Sequence, residues 1–312
     1  MPAPLRLRSA FKEPPPASEI ANAYDALSKD QDDPASAVGL FEFKGSDAFV
    51  GREVWARLDA ELVRLRTSGR HAIRILDAGC GRGEWLLRLA IRARDLGFSA
   101  IEGRGFDMSR KMIALADASK AAADDPHVGI HFDIAEMDTA LDDEDDGSFD
   151  IVLSLNGAFN HIAADRRASA AAALMRVADG SIFVAVRPTG SPPALYVTEV
   201  EQARSFQQDH EADRLEIDLI DGRHIGFQSH LFTATELQNL FAASLDTVEL
   251  VGLDLFHGRF ASDPRWNPSS VSAEAIKGGL ERLEHLCSHD PLFLDHAVNV
   301  LLHARSRGLS PA

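Results

Sequence analysis

Asp77, Gly79, Gly81 and Gly83 stand at alternate positions, after the apolar run Ile73-Arg74-Ile75-Leu76 and before Glu84-Trp85-Leu86-Leu87. A strand that opens into a glycine-rich turn and then a helix is a device for holding a nucleotide-like cofactor. The glycines admit positive φ and let a ligand approach the backbone closely at a helix N-terminus. The spacing discriminates between cofactors. A dinucleotide fingerprint needs its third glycine at 84, where this chain has Glu84, and it does not usually carry an acid two residues before its first glycine. The NAD reading therefore loses ground. Further along, Arg187 follows a fifth apolar segment and Arg259 a sixth, which in a doubly wound sheet puts both at the carboxyl edge where ligands collect. Guanidinium groups there suit a carboxylate or phosphate, because they donate in a planar fork.

The form Asp77-x-Gly79-x-Gly81-x-Gly83 resembles the first motif of the class I S-adenosylmethionine-dependent methyltransferases, and the segments from about 70 to 252 follow that family's order. The resemblance implies S-adenosylmethionine as the donor, held by Asp77, Gly79, Cys80, Gly81 and Gly83. It also implies that Asp107, in Gly105-Phe106-Asp107-Met108-Ser109, meets the ribose hydroxyls, since a carboxylate can accept two hydrogen bonds from a diol. The competing role for Asp107 is a helix cap. Met108 would lie against the adenine. His131-Phe132-Asp133-Ile134-Ala135 resembles the segment whose acid, Asp133, meets the adenine amino group and whose next residue, Ile134, packs on the ring.

Ser154-Leu155-Asn156-Gly157-Ala158-Phe159-Asn160-His161 resembles the family's catalytic edge, so Asn156 faces donor and acceptor, and Asn156, Asn160 and His161 are the catalytic candidates. Adenine and cytosine amino methyltransferases commonly carry a polar residue, two prolines and an aromatic here; Asn156-Gly-Ala-Phe does not match, and base methylation loses support. Transfer from a sulfonium is an in-line displacement in which alignment supplies much of the rate enhancement. His161 could remove a proton from an amine or hydroxyl acceptor, whereas a thioether would need no base. Beside Arg187 and Arg259, the substrate-binding candidates are His257 in the loop Phe256-His257-Gly258-Arg259-Phe260, with Trp266 beyond it, and Tyr24, Tyr196 and His230 from segments that often roof this site.

These residues need a frame. Residues 1–17, rich in proline and charge, read as a disordered arm; 18–70 read as a helical or lid segment, with helices at 18–29 and 46–67. From 71 the pattern alternates: strands at 73–77, 101–106, 128–132, 149–155 and 181–186, with helices at 83–95, 109–122 and 163–177. A hairpin around Asp221-Gly222-Arg223 belongs to an appendage at about 190–231, and the capping box Thr233-Ala-Thr-Glu236 opens a helix. Strands at 246–252 and 297–303 complete the set. The expectation is an α/β, Rossmann-like methyltransferase sheet of seven strands, mostly parallel, with N-terminal helices. An insertion at about 253–296, including a helix at 271–287, precedes the last strand.

Bulk properties bound the partners. The chain has 312 residues with 32 Lys and Arg against 48 Asp and Glu, a formal charge of -16 that repels a phosphate backbone, so no nucleic-acid partner is expected. No apolar run reads as a signal or membrane span, and two cysteines, Cys80 and Cys287, are too few for a disulfide framework or a structural zinc site. The expectation is a cytoplasmic enzyme with no metal. The run Asp142-Asp143-Glu144-Asp145-Asp146 reads as a solvated loop. Methyl transfer to a small acceptor, amino-acid-like or otherwise carboxylate-bearing, is the leading reading. Methylation of protein or RNA, and a non-catalytic S-adenosylmethionine-binding regulator, are its competitors. A homo-oligomer stays open.

Overall fold

The computed structural model describes residues 19–27, 39–41, 43, 48–137, 139–197, 200–242, 245–257 and 271–306. The arm at 1–17, Arg259, Phe260 and Trp266 lie outside the described residues.

Alternating apolar segments form the strands β1 (Ala72–Ala78), β2 (Ala100–Asp107), β3 (Val128–Ile134), β4 (Phe149–Ser154) and β5 (Ala178–Val186), which pair in parallel. Two late strands, β9 (Leu245–Leu253) and β10 (Asn299–Ser306), join antiparallel, with β10 between β5 and β9. The order β3-β2-β1-β4-β5-β10-β9 is the expected seven-stranded, mostly parallel sheet. It reverses direction between β1 and β4, and in such sheets the crevice at the strands' carboxyl ends holds the ligand.

Both faces are covered, which is why the strand cores read as continuous apolar runs. Ile73, Ile75, Ile151, Leu153 and Phe183 face one cluster with Leu58 and Leu62 of α2 (Ala48–Thr67) and Leu86 and Leu89 of α3 (Glu84–Asp95). Leu76, Val152, Ile182 and Val184 face the other, with Leu174 of α5 (Arg167–Val177) and Leu237 and Phe241 of α6 (Ala234–Phe241). Between β2 and β3 runs α4 (Arg110–Ser119), capped by Ser109, whose hydroxyl accepts from Met112 N–H.

Two expectations change. The appended hairpin is a three-stranded antiparallel sheet, because β6 (Ala203–Asp209) pairs with β7 (Arg214–Leu219) ahead of the β7–β8 (His224–Gln228) turn. The sequence of β6, Ala-Arg-Ser-Phe-Gln-Gln-Asp, alternates too weakly to announce a strand, since this edge strand leaves most of its side chains partly or fully in solvent. The helix expected from 163 begins only at Arg167, after a 3₁₀ turn at Ala158–His161 that carries the candidate histidine.

The small sheet holds α1 (Glu19–Leu27). Ile20 and Ala23 pack on Leu215, Ile217 and Phe227, and Asp25 accepts from the Ser109 hydroxyl at 2.7 Å. α1 therefore bridges the small sheet and the start of α4, directly over the carboxyl edge. Within the region read as an insertion, the described helices are α7 (Val271–Cys287) and α8 (Pro291–Leu294). Among the described residues, no helix is long and apolar enough to cross a membrane, and no His, Cys, Asp and Glu cluster is built to hold a metal.

Candidate active site

A cavity of about 910 Å³ opens at the carboxyl edge, where the sheet order reverses. Its floor comes from the β1–α3 loop and the ends of β2 and β4, and its roof from α1 and the start of α2.

The glycine loop is shaped by contact with its neighbours. Gly79 and Gly81 have φ of +76° and +52°, and both line the cavity; a Cβ on Gly79 would fall 2.4 Å from the Ala158 Cβ, whereas one on Gly81 would meet open space. Glycine at 79 thus lets the β1 and β4 loops close together, and glycine at 81 leaves the backbone bare beneath the cavity. Gly83 does not line it. Gly83 is the left-handed N-cap of α3 and packs against Phe132, a supporting role beneath the loop.

Asp107 ends β2 within the cavity lining. Its Oδ2 accepts from Gly81 N–H at 3.0 Å and its Oδ1 from Ser109 N–H at 2.9 Å. Burial pushes its pKa up, opposed by those backbone hydrogen bonds. Each oxygen keeps acceptor capacity, so the carboxylate can tie loop to helix and still take two hydroxyls of a diol. Helix capping, the competing role, falls to Ser109. Met108, Cys80 and Asn156 also line the cavity; burial raises the Cys80 thiol pKa, and Asn156 is held at φ +57°.

Asp77 stands beneath the loop, 1% exposed, with Oδ2 buried and unbonded. Burial, and then the charge of Asp107, push its pKa up to about 7. Between the ordinary carboxylate range near pH 4 and about pH 7, the folded state therefore binds more protons than the unfolded chain, and stability falls as pH rises. Asp77→Asn is expected to stabilise the ligand-free protein by about 2–4 kcal/mol at pH 8 and by little at pH 4. Urea unfolding at the two pH values tests this; an equal effect at both would refute the assignment.

Asp133 and Ile134 do not line the cavity. Asp133 accepts from Arg104 at 3.2 Å and from His131 Nε2 at 2.6 Å on the outer side of the sheet, and Ile134 packs in the α3-side cluster. Ala135, Glu136 and Met137 occupy the cavity wall instead. The cavity wall on this side thus begins two residues beyond Asp133, because it forms only after β3 has ended.

At the opposite end, the His161 ring lies among Tyr24, Tyr196 and Phe227. Its Nδ1 lies 2.7 Å from the Gln228 carbonyl, which can only accept, so the proton sits on Nδ1. Nε2 then accepts from the Tyr24 hydroxyl at 3.0 Å. Burial, and more weakly the Arg187 charge, lower the His161 pKa to about 4. Burial raises that of Tyr24. The pair is neutral across the physiological range.

Arg187 also lines the cavity. Its guanidinium carbon lies 3.7 Å from the Tyr196 ring centroid, and its Nη1 is buried without a hydrogen-bond partner. Asn160, by contrast, is 0% exposed and lines nothing. Its amide donates to the carbonyls of Arg187 (2.9 Å) and His230 (2.6 Å) and accepts from Arg187 N–H (2.9 Å). Every polar atom of that side chain is spent on backbone, which replaces the catalytic expectation for Asn160 with a positioning one.

Three substrate candidates lie behind or away from the wall. Tyr196 is buried, its hydroxyl 3.2 Å from Ser229 Oγ, and supports Arg187 from behind. His230 sits between Asp213 (2.6 Å) and Glu236 (2.9 Å). His257 stacks on Phe49 with centroids 5.0 Å apart, while its N–H donates to Glu284. Only Tyr24 and Arg187 of the described candidates reach the cavity. Sequence reasoning missed Trp85, Gln228 and Asn299, which line it. Trp85 follows the glycine motif directly and was open to detection; Gln228 and Asn299 come from distant strands and carried no local signal.

Residues 75–179 match a family model described as a methyltransferase domain, a span that runs from within β1 to the start of β5 and contains the glycine loop and Asp107. This third of the chain is a methyltransferase domain. The residues present fit S-adenosylmethionine as a donor: an open glycine cradle, a carboxylate with spare acceptor capacity, and the unbonded Asp77 oxygen beneath. No curated protein matches this methyltransferase. Among solved structures it is similar to magnesium protoporphyrin IX methyltransferase from Synechocystis PCC 6803 with bound S-adenosylmethionine, at 11% identity and a TM-score of 0.45, covering 93% of this chain and 92% of that one. A second is phosphoethanolamine N-methyltransferase 2 from Haemonchus contortus, at 17% identity and a TM-score of 0.47, covering 92% of this chain and 60% of that one. A third is a protein from Pyrococcus horikoshii OT3, at 14% identity and a TM-score of 0.46, covering 82% and 92%.

Proposed function

We propose that this methyltransferase acts on a small-molecule acceptor bearing an anionic group, a carboxylate-bearing metabolite being the simplest case. The observation that carries this reading is Arg187. Of the arginines lining the cavity, Arg82 and Arg88 face Glu84, and Arg166 faces Glu136. Arg187 makes no ion pair with any described carboxylate, and its buried Nη1 is unbonded. A buried guanidinium donor without an acceptor is costly, and an anionic ligand satisfies it. α1 and the start of α2 cover part of the site, which suits a compact acceptor better than a polymer.

In this reading Gly79–Gly81, Asp107 and Met108 hold the donor, with Asp107 on the ribose hydroxyls and Asp77 beneath the loop. S-adenosylmethionine supplies a methyl group already activated on a sulfonium. The chain's own contribution is alignment: Asn156 and His161 border the acceptor, and Arg187 fixes its anionic group. His161 serves as a neutral, oriented wall. Its Nε2 lone pair is committed to Tyr24 and its pKa of about 4 makes it a poor base.

Burial and Arg187 push His161 down, so it takes up a proton only near pH 4, and turnover is expected to show no histidine limb between pH 6 and 7. A kcat profile with an inflection in that window, abolished by His161→Gln, would restore the general-base role.

Transfer of labelled methyl from S-adenosylmethionine in a cell extract, with metabolites separated from macromolecules, tests the acceptor class. Label in acidic metabolites is the expected result. Label confined to protein or RNA would overturn the small-molecule reading, and donor binding without transfer would point to a regulator. Weakened S-adenosylhomocysteine binding in Arg187→Met would reassign Arg187 to the donor.

A further inference from the structure

We infer that the acceptor is amphipathic, with an apolar body seated against Phe43, Val50, Val54, Trp85 and Leu253 while its anionic group meets Arg187. This rests on the reading of Arg187 given above. These five side chains line the cavity and belong to or pack on the hydrophobic cluster on the α2–α3 side of the sheet. Phe43 and Val50 are only half-buried. Their remaining apolar surface is turned to the cavity, and covering it is favourable for any ligand that presents carbon.

The wall is built to hold its shape. A Cβ on Gly51 would fall 2.4 Å from Phe43 Cδ1, so the ring rests on the α2 backbone. Arg88 lies 4.9 Å from the Phe43 centroid and 4.6 Å from that of Trp85, and donates to the Leu40 carbonyl, which ties both rings together. Phe43, Val50 and Val54 of this surface come from α2 and the segment before it, apart in the chain from the glycine loop, Asp107 and Met108 assigned above to the donor.

Charge disfavours the opposite class. The acids lining the cavity are Glu19, Glu84, Asp107 and Glu136. Glu19 is held by Arg214, Glu84 by Arg82 and Arg88, and Glu136 by Arg166, while Asp107 serves the loop. Each of these four carboxylates thus already faces an arginine or the loop backbone, whereas Arg187 faces no described carboxylate, so the charge balance of the wall favours an anion over an ammonium group. Size limits the apolar body, because about 910 Å³ must hold donor and acceptor together, within the ~300–1,000 Å³ usual for one drug-sized ligand. A short chain or a single ring fits that space.

The test titrates protein saturated with S-adenosylhomocysteine against straight-chain carboxylates from propionate to octanoate, and against the matching primary amines, by calorimetry. Carboxylate affinity is expected to rise up to about fourfold per added methylene, with amines at least about tenfold weaker. Val50→Ser and Phe43→Ser should flatten the chain-length dependence while leaving propionate and S-adenosylhomocysteine affinity unchanged. A flat series that still prefers carboxylates would overturn this inference and spare the anionic reading. A rising series without carboxylate preference would overturn the Arg187 reading, and this inference with it.

Discussion

Asp107→Ala is expected to weaken S-adenosylmethionine and S-adenosylhomocysteine binding by at least about 100-fold, measured by calorimetry at pH 7.5. The carboxylate does two jobs at once. In the proposed reading it takes the donor's diol, and it already accepts from Gly81 and Ser109 N–H at 3.0 and 2.9 Å. Hydrogen bonds to a charged acceptor contribute ~1.5–3 kcal/mol each, so loss of two gives ~3–6 kcal/mol and a decrease of about 10²- to 10⁴-fold. Loosening of the Gly81 backbone adds to the same effect. Thermal unfolding of the ligand-free variant separates lost binding from lost structure. A dissociation constant within about threefold of the parent, in a folded variant, would end the ribose assignment.

Asn160→Leu should produce the largest stability loss of the substitutions considered, about 3–5 kcal/mol by urea denaturation. The apolar replacement keeps the volume and removes the partners of three backbone groups: the Arg187 carbonyl, the Arg187 N–H and the His230 carbonyl. Each buried group left unsatisfied costs ~1–3 kcal/mol, part of which a trapped water can recover. The same bonds hold the Arg187 backbone, so acceptor KM should rise more than kcat falls in any Asn160 variant that folds, with donor affinity preserved. A variant of parental stability whose kcat alone collapses would return Asn160 to the chemistry.

How legible the site was depended on whether its parts were local. The glycine motif and Asp107 sit at the ends of adjacent strands β1 and β2, and each carries a sequence pattern: alternate glycines after an acid, and an acid closing a strand before a helix. Asp133 shows where that logic stops. Its position after the third strand suggested the cavity, yet strand alternation and its pairing with Arg104 turn it outward, and the wall is made by Ala135, Glu136 and Met137. Asn160 and His161 are neighbours in the chain with unlike surroundings. One is enclosed by the backbone of β5 and the small sheet, the other is turned into an aromatic niche whose walls come from α1 and the small sheet.

By itself, the sequence determined the alternating strand and helix segments and the glycine loop, because hydrophobic periodicity and positive-φ glycines are local constraints that each short segment must satisfy alone. Only the tertiary structure decided which distant side chains converge. Tyr24 and His161, 137 residues apart, form one neutral hydrogen-bonded pair; Arg187 is left without a carboxylate, whereas His230, His257 and Asp133 find partners. Such outcomes depend on burial and on the competition for hydrogen-bond partners across elements, which exist only once the sheet, the small sheet and α1 have come together.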